Sequence, residues 1–246
     1  MGSRRRVPPR CGGGVRRRGL SVGIAKGTPW GSPAGGPPDA TVHGDDADLA
    51  AAVARHPGVR IAFHPSEQSD LARAVGLSPG AREPSAAVNT ELRCDALTVE
   101  ADGRTSTAVN MVVLGTPPDR QRWWSRSQRV LVRVDGRVVH DGPAVAVVVA
   151  SGQHLRGRDV VPRGHPGDGR AEVQVYAVPR RERAAMRARL SLGTHVPHPG
   201  IRSTSGRAVE VWAAEGIRRL EVDGHPWPQV TQVTVTVEPG AFTLLV

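Results

Sequence analysis

The spacing of hydrophobic and polar positions changes near residue 85. Upstream of it, short apolar runs alternate with segments of helical spacing. Residues 49–55 predict a helix, residues 59–63 predict a strand, and Asp70 is expected to cap a second helix that ends at Val75. Strands that alternate with helices in this way are typical of an α/β layer.

Downstream, helical spacing almost disappears and short Val-rich runs follow one another. Asp135-Gly136 lies between two such runs and predicts a two-residue hairpin turn. Residues 180–190 are the main segment with helical spacing in this half. Serial short strands predict a sandwich or a barrel. The predicted strands are residues 96–100, 107–114, 129–134, 137–140, 144–150, 171–178, 208–213, 218–222, 231–237 and 242–246.

These patterns predict an α+β protein with three regions. Residues 1–20 form a basic tail, residues 21–84 a short α/β unit, and residues 85–246 a β-rich domain. The tail combines arginine clusters with three consecutive glycines. Because such a composition cannot bury a core, we expect the tail to be disordered and to contribute little to thermal stability.

The charge of the chain is concentrated in that tail. The formal net charge is +10, and residues 1–18 hold seven arginines and no acid. Subtracting those seven leaves +3, which argues against a nucleic-acid-binding surface on the folded part. Cys11 and Cys94 are too few for a disulfide framework or a cysteine-based metal site. No run approaches eighteen apolar residues, so we expect a cytoplasmic protein.

Three segments, taken in chain order, contain the candidate functional motifs. The first is Gly44-Asp45-Asp46-Ala47-Asp48-Leu49, and the second is His64-Pro65-Ser66-Glu67-Gln68-Ser69-Asp70-Leu71-Ala72-Arg73-Ala74-Val75-Gly76-Leu77. The third extends from Ala144 to the C-terminus and contains Gly167-Asp168-Gly169, Asp223-Gly224-His225-Pro226 and Glu238-Pro239-Gly240-Ala241-Phe242. Together these segments resemble the bacterial diacylglycerol kinase family and the related sphingosine kinases. The first segment stands where that family has Gly-Gly-Asp-Gly-Thr-Leu.

The resemblance implies the NAD kinase/diacylglycerol kinase-like fold. In this chain that means an abbreviated α/β nucleotide-domain remnant followed by a large antiparallel β-sandwich-like domain. The implied activity is ATP-dependent phosphorylation of a lipid hydroxyl, diacylglycerol-like or sphingosine-like, with ATP and Mg²⁺ as cofactors if the site is active. The alternative is a catalytically inactive pseudokinase that acts as a lipid- or protein-binding module.

By resemblance, the nucleotide would contact the first segment and the turn before the second helix. The implied residues are Gly44, Asp45, Asp46, Ala47, Asp48, Leu49, Ala50 and Glu67. Phosphate binding needs free backbone N–H groups and glycines, which permit close approach. Asp45, Ala47 and Asp48 replace small residues of that turn, and the added carboxylates would repel a triphosphate. The alternative is that these acids only cap the following helix.

Two further sites follow from the same resemblance. Asp168, with the carbonyls of His165 and Arg170, would hold a magnesium ion, since Mg²⁺ prefers oxygen ligands. The alternative is an ordinary turn. His225 stands where the family has the carboxylate that takes the proton from the lipid hydroxyl, and histidine can act as a general base near neutral pH. The alternative is a turn histidine beside Trp227.

The last candidate is Trp123-Trp124, which lies among arginines at positions 120, 122, 126 and 129. Such a mixture suits a lipid interface. The alternative is a pair that packs one ring inward and leaves the other partly exposed. The expected partners are therefore a lipid substrate or an anionic membrane surface, with peripheral membrane association as an option and no specific nucleic acid.

Overall fold

A computed structural model describes residues 30–78 and 90–246. Within these ranges the chain forms 17 strands, three α-helices and three short 3₁₀ helices. In chain order the strands and α-helices are β1 (Ser32–Pro33), β2 (Ala40–Gly44), α1 (Asp46–Arg55), β3 (Arg60–Pro65), α2 (Asp70–Val75), β4 (Thr90–Ala101), β5 (Arg104–Ala108), β6 (Met111–Gly115), β7 (Gln128–Val134), β8 (Arg137–Ala144), β9 (Ala146–Ala150), β10 (His154–Leu155), β11 (Arg158–Asp159), β12 (Ala171–Tyr176), α3 (Arg183–Arg189), β13 (Ile201–Gly206), β14 (Ala208–Ile217), β15 (Leu220–Val222), β16 (His225–Trp227) and β17 (Val230–Leu245). The 3₁₀ helices are Pro118–Arg120, Arg180–Glu182 and Leu190–Leu192.

Two large sheets pack face to face. The first has the order β1-β4-β17-β14-β7-β8, with β5 beside β4 and the pair β2 and β3 beside the end of β17. The second is antiparallel, with the order β13-β12-β9-β6-β15-β16. Valine, leucine and alanine side chains from both sheets fill the space between them. The expectation of a strand-rich, antiparallel sandwich is therefore confirmed.

Strand β9 shows how the sequence builds this sandwich. All five of its residues are buried. Because successive side chains of a strand point to opposite faces, Val147 and Val149 enter the core between the sheets. Ala146 and Val148 enter a second core on the outer face, which α3 covers with Met186. A strand covered on both faces is continuously apolar, which explains why this run does not alternate.

The α/β unit is joined to the first sheet. β2 and β3 are parallel and α1 connects them. α1 buries Leu49 and Val53 in a core that also contains Ile61 and Phe63. β3 then pairs in parallel with the last residues of β17, whose earlier residues belong to the sandwich. The long strands β4 and β17 therefore run through both parts of the molecule.

Several local expectations are confirmed or corrected. The Asp135-Gly136 hairpin is confirmed: it joins β7 to β8, and both residues have positive φ, as a two-residue turn of this kind requires. The single strand expected at residues 107–114 is wrong, because the chain leaves the first sheet after Ala108 and enters the second at Met111. The strands expected at residues 231–237 and 242–246 are one strand, β17, which ends at Leu245 and has a register shift between Glu238 and Phe242.

The start of α2 also differs from the expectation. Ser69 is its N-cap, since its hydroxyl accepts a hydrogen bond from the Ala72 N–H at 3.0 Å. Asp70 is the first helical residue, and its carboxylate accepts hydrogen bonds from the N–H groups of Arg156 and Gly157 and does not cap α2. The predicted basic tail at residues 1–20 and the predicted domain boundary at residues 84 and 85 lie outside the described residues. In the described part of the chain, no helix is both long and apolar enough to cross a membrane.

Candidate functional site

The first two motif segments and the Asp223-Gly224-His225 part of the third meet around one cleft of about 450 Å³. The N-terminal ends of α1 and α2 form one side of it. The β10–β11 turn and the β15–β16 turn form the other. Most of its lining side chains are charged or polar. The lining residues are Asp45, Asp46, Glu67, Gln68, Asp70, Arg73, Asn110, Arg120, Leu155, Arg156, Gly157, Asp223, Gly224 and His225.

Two aspartates at the start of α1 bind the N–H groups of its first turn. Asp45 is the N-cap, and its carboxylate accepts hydrogen bonds from the N–H groups of Ala47 at 2.9 Å and Asp48 at 3.2 Å. The Asp48 carboxylate in turn accepts from the Asp45 N–H at 3.0 Å. This reciprocal arrangement is a capping box, which satisfies helix N–H groups that otherwise have no partner. The capping role considered for Asp45 and Asp48 is thus present in the structure.

Gly44 is required by this capping box. Its φ is +130°, outside the region that side-chain-bearing residues favour. A Cβ atom at this position would overlap the carboxylate of Asp48. The one glycine shared with the resembled motif therefore makes room for Asp48.

Asp46 connects the two helices. Its buried carboxylate accepts from the Ser69 hydroxyl at 2.5 Å and from the N–H groups of Asp70 and Leu71. Burial raises the pKa of Asp46 to about 6, with a further contribution from the charge of Asp70, although these hydrogen bonds oppose the change. The N-terminus of α2 is therefore also occupied by a carboxylate of this chain.

Two other carboxylates, those of Asp70 and Asp223, bind backbone amides outside the two helices. Asp70 accepts from the N–H groups of Arg156 and, at 2.7 Å, of Gly157. Asp223 accepts from three consecutive N–H groups, those of residues 109, 110 and 111, at 2.7 to 3.0 Å. Burial and the nearby charge of Asp46 raise the pKa of Asp223, and the three N–H groups oppose that change. Every carboxylate described so far is engaged by the chain's own backbone.

His225 lies at the cleft entrance and contacts the α1 cap. Its Nε2 atom is 3.0 Å from Oδ2 of Asp45. The His225 side chain is 58% exposed and that of Asp45 is 22% exposed. Partial burial would raise the pKa of Asp45, but the hydrogen bonds from His225, Asp48 and Ala47 outweigh it and hold the pKa below its ordinary value. The contact joins the α/β unit to the second sheet across the cleft.

An arginine that the sequence analysis did not single out organises the opposite wall. Arg156 forms ion pairs with Asp119 at 2.9 Å and with Glu221 at 3.0 Å. Burial would lower the pKa of Arg156, but its two acidic partners raise it. Arg120 adds a looser pair with Glu221 at 3.7 Å. These partners are 37 and 65 positions from Arg156, so no local sequence pattern could have indicated the network.

Arg73 is the exposed cation of the cleft wall, whereas Asn110 is buried in that wall. Arg73 is exposed at the cleft and makes no ion pair within residues 30–78 and 90–246. Asn110 donates through Nδ2 to the His154 carbonyl at 3.1 Å. Its Oδ1 atom is buried and has no hydrogen-bond partner among the described residues.

Other predicted nucleotide residues lie elsewhere. Leu49 is fully buried in the core beneath α1 and does not line the cleft. Ala47 and Ala50 line a neighbouring groove of about 510 Å³, together with Trp227. Glu67 is exposed at the cleft.

The predicted metal residues form a separate loop between β11 and β12. Asp168 accepts from the Arg170 N–H at 3.0 Å, which is the geometry of a local turn. Nδ1 of His165 accepts from the Gly167 N–H at 3.2 Å. None of these three residues lines the cleft. Across the described ranges, no cluster of three or more histidine, cysteine, aspartate or glutamate side chains is arranged to hold a metal ion.

Comparisons with known proteins agree on the fold. The profile described as "YegS C-terminal NAD kinase beta sandwich-like domain" matches residues 121–246. A crystal structure of a diacylglycerol kinase from Bacillus anthracis str. Sterne superposes with a TM-score of 0.65 at 16% identity, covering 84% of this chain and 76% of that chain. Yeast NADH kinase complexed with NADH superposes with a TM-score of 0.51 at 11% identity, covering 85% and 61%. No curated protein matches the sequence.

Proposed function

The chain belongs to the YegS-type, diacylglycerol kinase-like family of lipid kinases, and from that premise we propose that it is a pseudokinase. In this proposal, β2, α1 and β3 are a shortened remnant of the nucleotide domain, and the two turns at the cleft no longer receive the phosphates of ATP. The cleft instead serves as a binding module for a lipid or a partner protein.

The observation that supports this proposal is the capping box at the N-terminus of α1. A phosphate would need those N–H groups, which the carboxylates of Asp45 and Asp48 already bind. It would also meet their negative charges. Two unit charges 4 Å apart repel by about 4 kcal/mol at the effective dielectric of a protein surface. The residues present therefore do not fit a magnesium-bound triphosphate.

The free charge of Arg73 favours an anionic lipid head group as the ligand. Arg73 is exposed at the cleft and forms no ion pair among the described residues, so its guanidinium can bind such a group. A volume of about 450 Å³ suits such a group.

A retained kinase is the second candidate, and the contact between Asp45 and His225 favours it. If Nε2 of His225 donates its proton to Asp45, Nδ1 is left unprotonated and able to accept a proton from a lipid hydroxyl. A carboxylate that orients a histidine in this way is a recurring arrangement in catalysis. Asp45 would then be a positioning residue and His225 the general base.

Phosphate transfer from ATP to diacylglycerol in mixed micelles separates the two candidates. The pseudokinase proposal predicts no turnover by the unmodified protein. A retained kinase predicts turnover that falls at least about tenfold in His225→Ala, the lower range for loss of a general base. The control is Gln68→Ala, because Gln68 is an exposed cleft residue with no proposed role. Turnover that survives Gln68→Ala and is lost in His225→Ala would overturn the pseudokinase proposal.

A further inference from the structure

The loop between β6 and β7 displays two tryptophans that pack against no core. Trp123 is 64% exposed and Trp124 is 55% exposed. The alternative considered for this pair, in which one ring packs inward, is therefore wrong. The two rings contact each other edge to face, with centroids 5.3 Å apart. Large apolar side chains side by side at the surface commonly mark an interaction site.

Helix α3 fixes the backbone of this tryptophan loop, which we define as residues 121–127. Arg183 is 3% exposed and donates to the carbonyls of Arg122 and Ser125 and to the Ser127 hydroxyl. Arg187 donates to the Gln121 carbonyl at 2.9 Å. A buried arginine has lost hydration that its hydrogen bonds must offset. The chain thus uses buried hydrogen bonds to hold a loop whose tryptophans contribute little to the core.

The surroundings of the tryptophan loop are strongly basic. The guanidinium of Arg122 lies 5.4 Å from the ring centre of Trp124. The nearby acids are already engaged in ion pairs: Asp119 with Arg156, Glu221 with Arg156 and Arg120, Asp141 with Arg129, and Glu182 with Arg181. Four further exposed arginines on the loop, on α3 and on the 3₁₀ helix before it form no ion pair among the described residues: Arg122, Arg126, Arg180 and Arg189.

We propose that the tryptophan loop and these arginines dock the protein on an anionic lipid bilayer. Tryptophan favours the bilayer interface, since its ring is apolar and its N–H group can still reach water. Arginines near the surface attract acidic head groups, each by a factor of roughly five. A protein surface rarely offers uniform negative charge around an apolar layer, so a bilayer fits better than a protein partner. This proposal concerns a surface outside the cleft and stands whether or not the chain is a kinase.

Sedimentation of the full chain with lipid vesicles tests this surface. We expect binding to vesicles of phosphatidylcholine with about 30% phosphatidylserine, and much weaker binding to pure phosphatidylcholine. The variant Trp123→Ala/Trp124→Ala should bind at least about tenfold more weakly, while its melting temperature stays unchanged because both rings are exposed. The matched control is Val138→Ala, which also removes an exposed apolar side chain but at the far end of the β7–β8 hairpin.

A second readout separates the loop from the seven arginines of residues 1–18, which every variant retains. Brominated lipids quench tryptophans that enter a bilayer. We expect quenching in the natural chain and in Val138→Ala, and its loss in the double variant. If the double variant binds acidic vesicles as tightly as the natural chain does, the arginine-rich segment is the anchor and the proposal is wrong. Absence of vesicle binding by the natural chain would also overturn it, and would leave a protein partner for the loop.

Discussion

The sandwich and the cleft of this protein differ in how closely they follow the family that the chain resembles. In the sandwich, buried valines and leucines of two mainly antiparallel sheets build the family fold. At the cleft, the turns that resemble phosphate-binding motifs hold carboxylates bonded to the chain's own amides. The fold depends on apolar pattern and volume, which many residues satisfy. Phosphate binding depends on a few glycines and free N–H groups, and single substitutions can remove it.

On the pseudokinase proposal, this difference is how a chain keeps a kinase-like fold while its phosphate-binding turns change. An acid at a helix N-terminus improves the helix by satisfying N–H groups and by interacting with the helix dipole. The same acid excludes a phosphate from those N–H groups. Acidic substitutions that cap α1, such as Asp45 and Asp48, therefore act against phosphate binding at that helix.

The largest effect we expect is in the sandwich core. Leu97 is fully buried between the sheets. Leu97→Ala should lower the free energy of unfolding by about 3 kcal/mol, because it removes buried apolar surface and leaves a cavity. Urea denaturation measures this loss. The cleft substitution Glu67→Thr is the control, with an expected change within about 0.5 kcal/mol. Equal losses at both positions would contradict the contrast between core and cleft.

A smaller effect is expected at Gly44. It tests whether this glycine is needed to make room for the Asp48 carboxylate. Gly44→Ala should lower the free energy of unfolding by about 2 kcal/mol through backbone strain and overlap with the Asp48 carboxylate. In a background of Asp48→Ala the same change should cost less, because the overlap is gone. Strictly additive losses in this double-mutant cycle would show that Gly44 has another role.

The pH dependence of stability should report on Asp46. Because its pKa is raised from 3.8 to about 6, the folded chain binds this proton more tightly than the unfolded chain does. Stability from this group therefore rises as pH falls from about 6 towards 4. Between pH 7 and pH 4 the natural chain should gain about 2 kcal/mol relative to Asp46→Asn. Taking the difference removes groups that titrate equally in both proteins, and a constant difference would contradict the burial of an ionisable Asp46.

The smallest effect is expected at the cleft entrance. His225 and Asp45 form a largely exposed pair, and such pairs contribute little to stability. His225→Ala should change the melting temperature by about 2 °C or less. A larger fall would mean that the contact holds the α/β unit against the second sheet.

How far the sequence could predict this molecule depends on the range of the interaction. The Asp135-Gly136 turn and the valine-rich strands follow from local pattern, and both are present. The sheet change at residues 109 and 110 was missed, because it depends on Asp223 binding those N–H groups from over one hundred positions away. The Arg156 network was missed for the same reason.

Chemical roles at the cleft were the least predictable. The sequence brought Asp45, Asp46, Glu67 and His225 forward as candidates, and the structure gathers them at one cleft. It could not show that Asp46 binds α2 or that Asp45 contacts His225. Whether His165, Asp168 and Arg170 hold magnesium stays a prediction, since their loop geometry also fits an ordinary turn.

Calorimetric titration with ATP and Mg²⁺ tests the central claim most directly. It should be carried out on the natural chain and on a variant that restores the resembled motifs, with both proteins shown to be folded. The restoring substitutions are Asp45→Gly, Ala47→Gly, Asp48→Thr, Glu67→Thr and His225→Glu. We predict no binding by the natural chain and measurable binding by the variant, because the changes remove repulsion and free the N–H groups of α1. Saturable binding of ATP by the natural chain, no weaker than by the variant, would contradict this account.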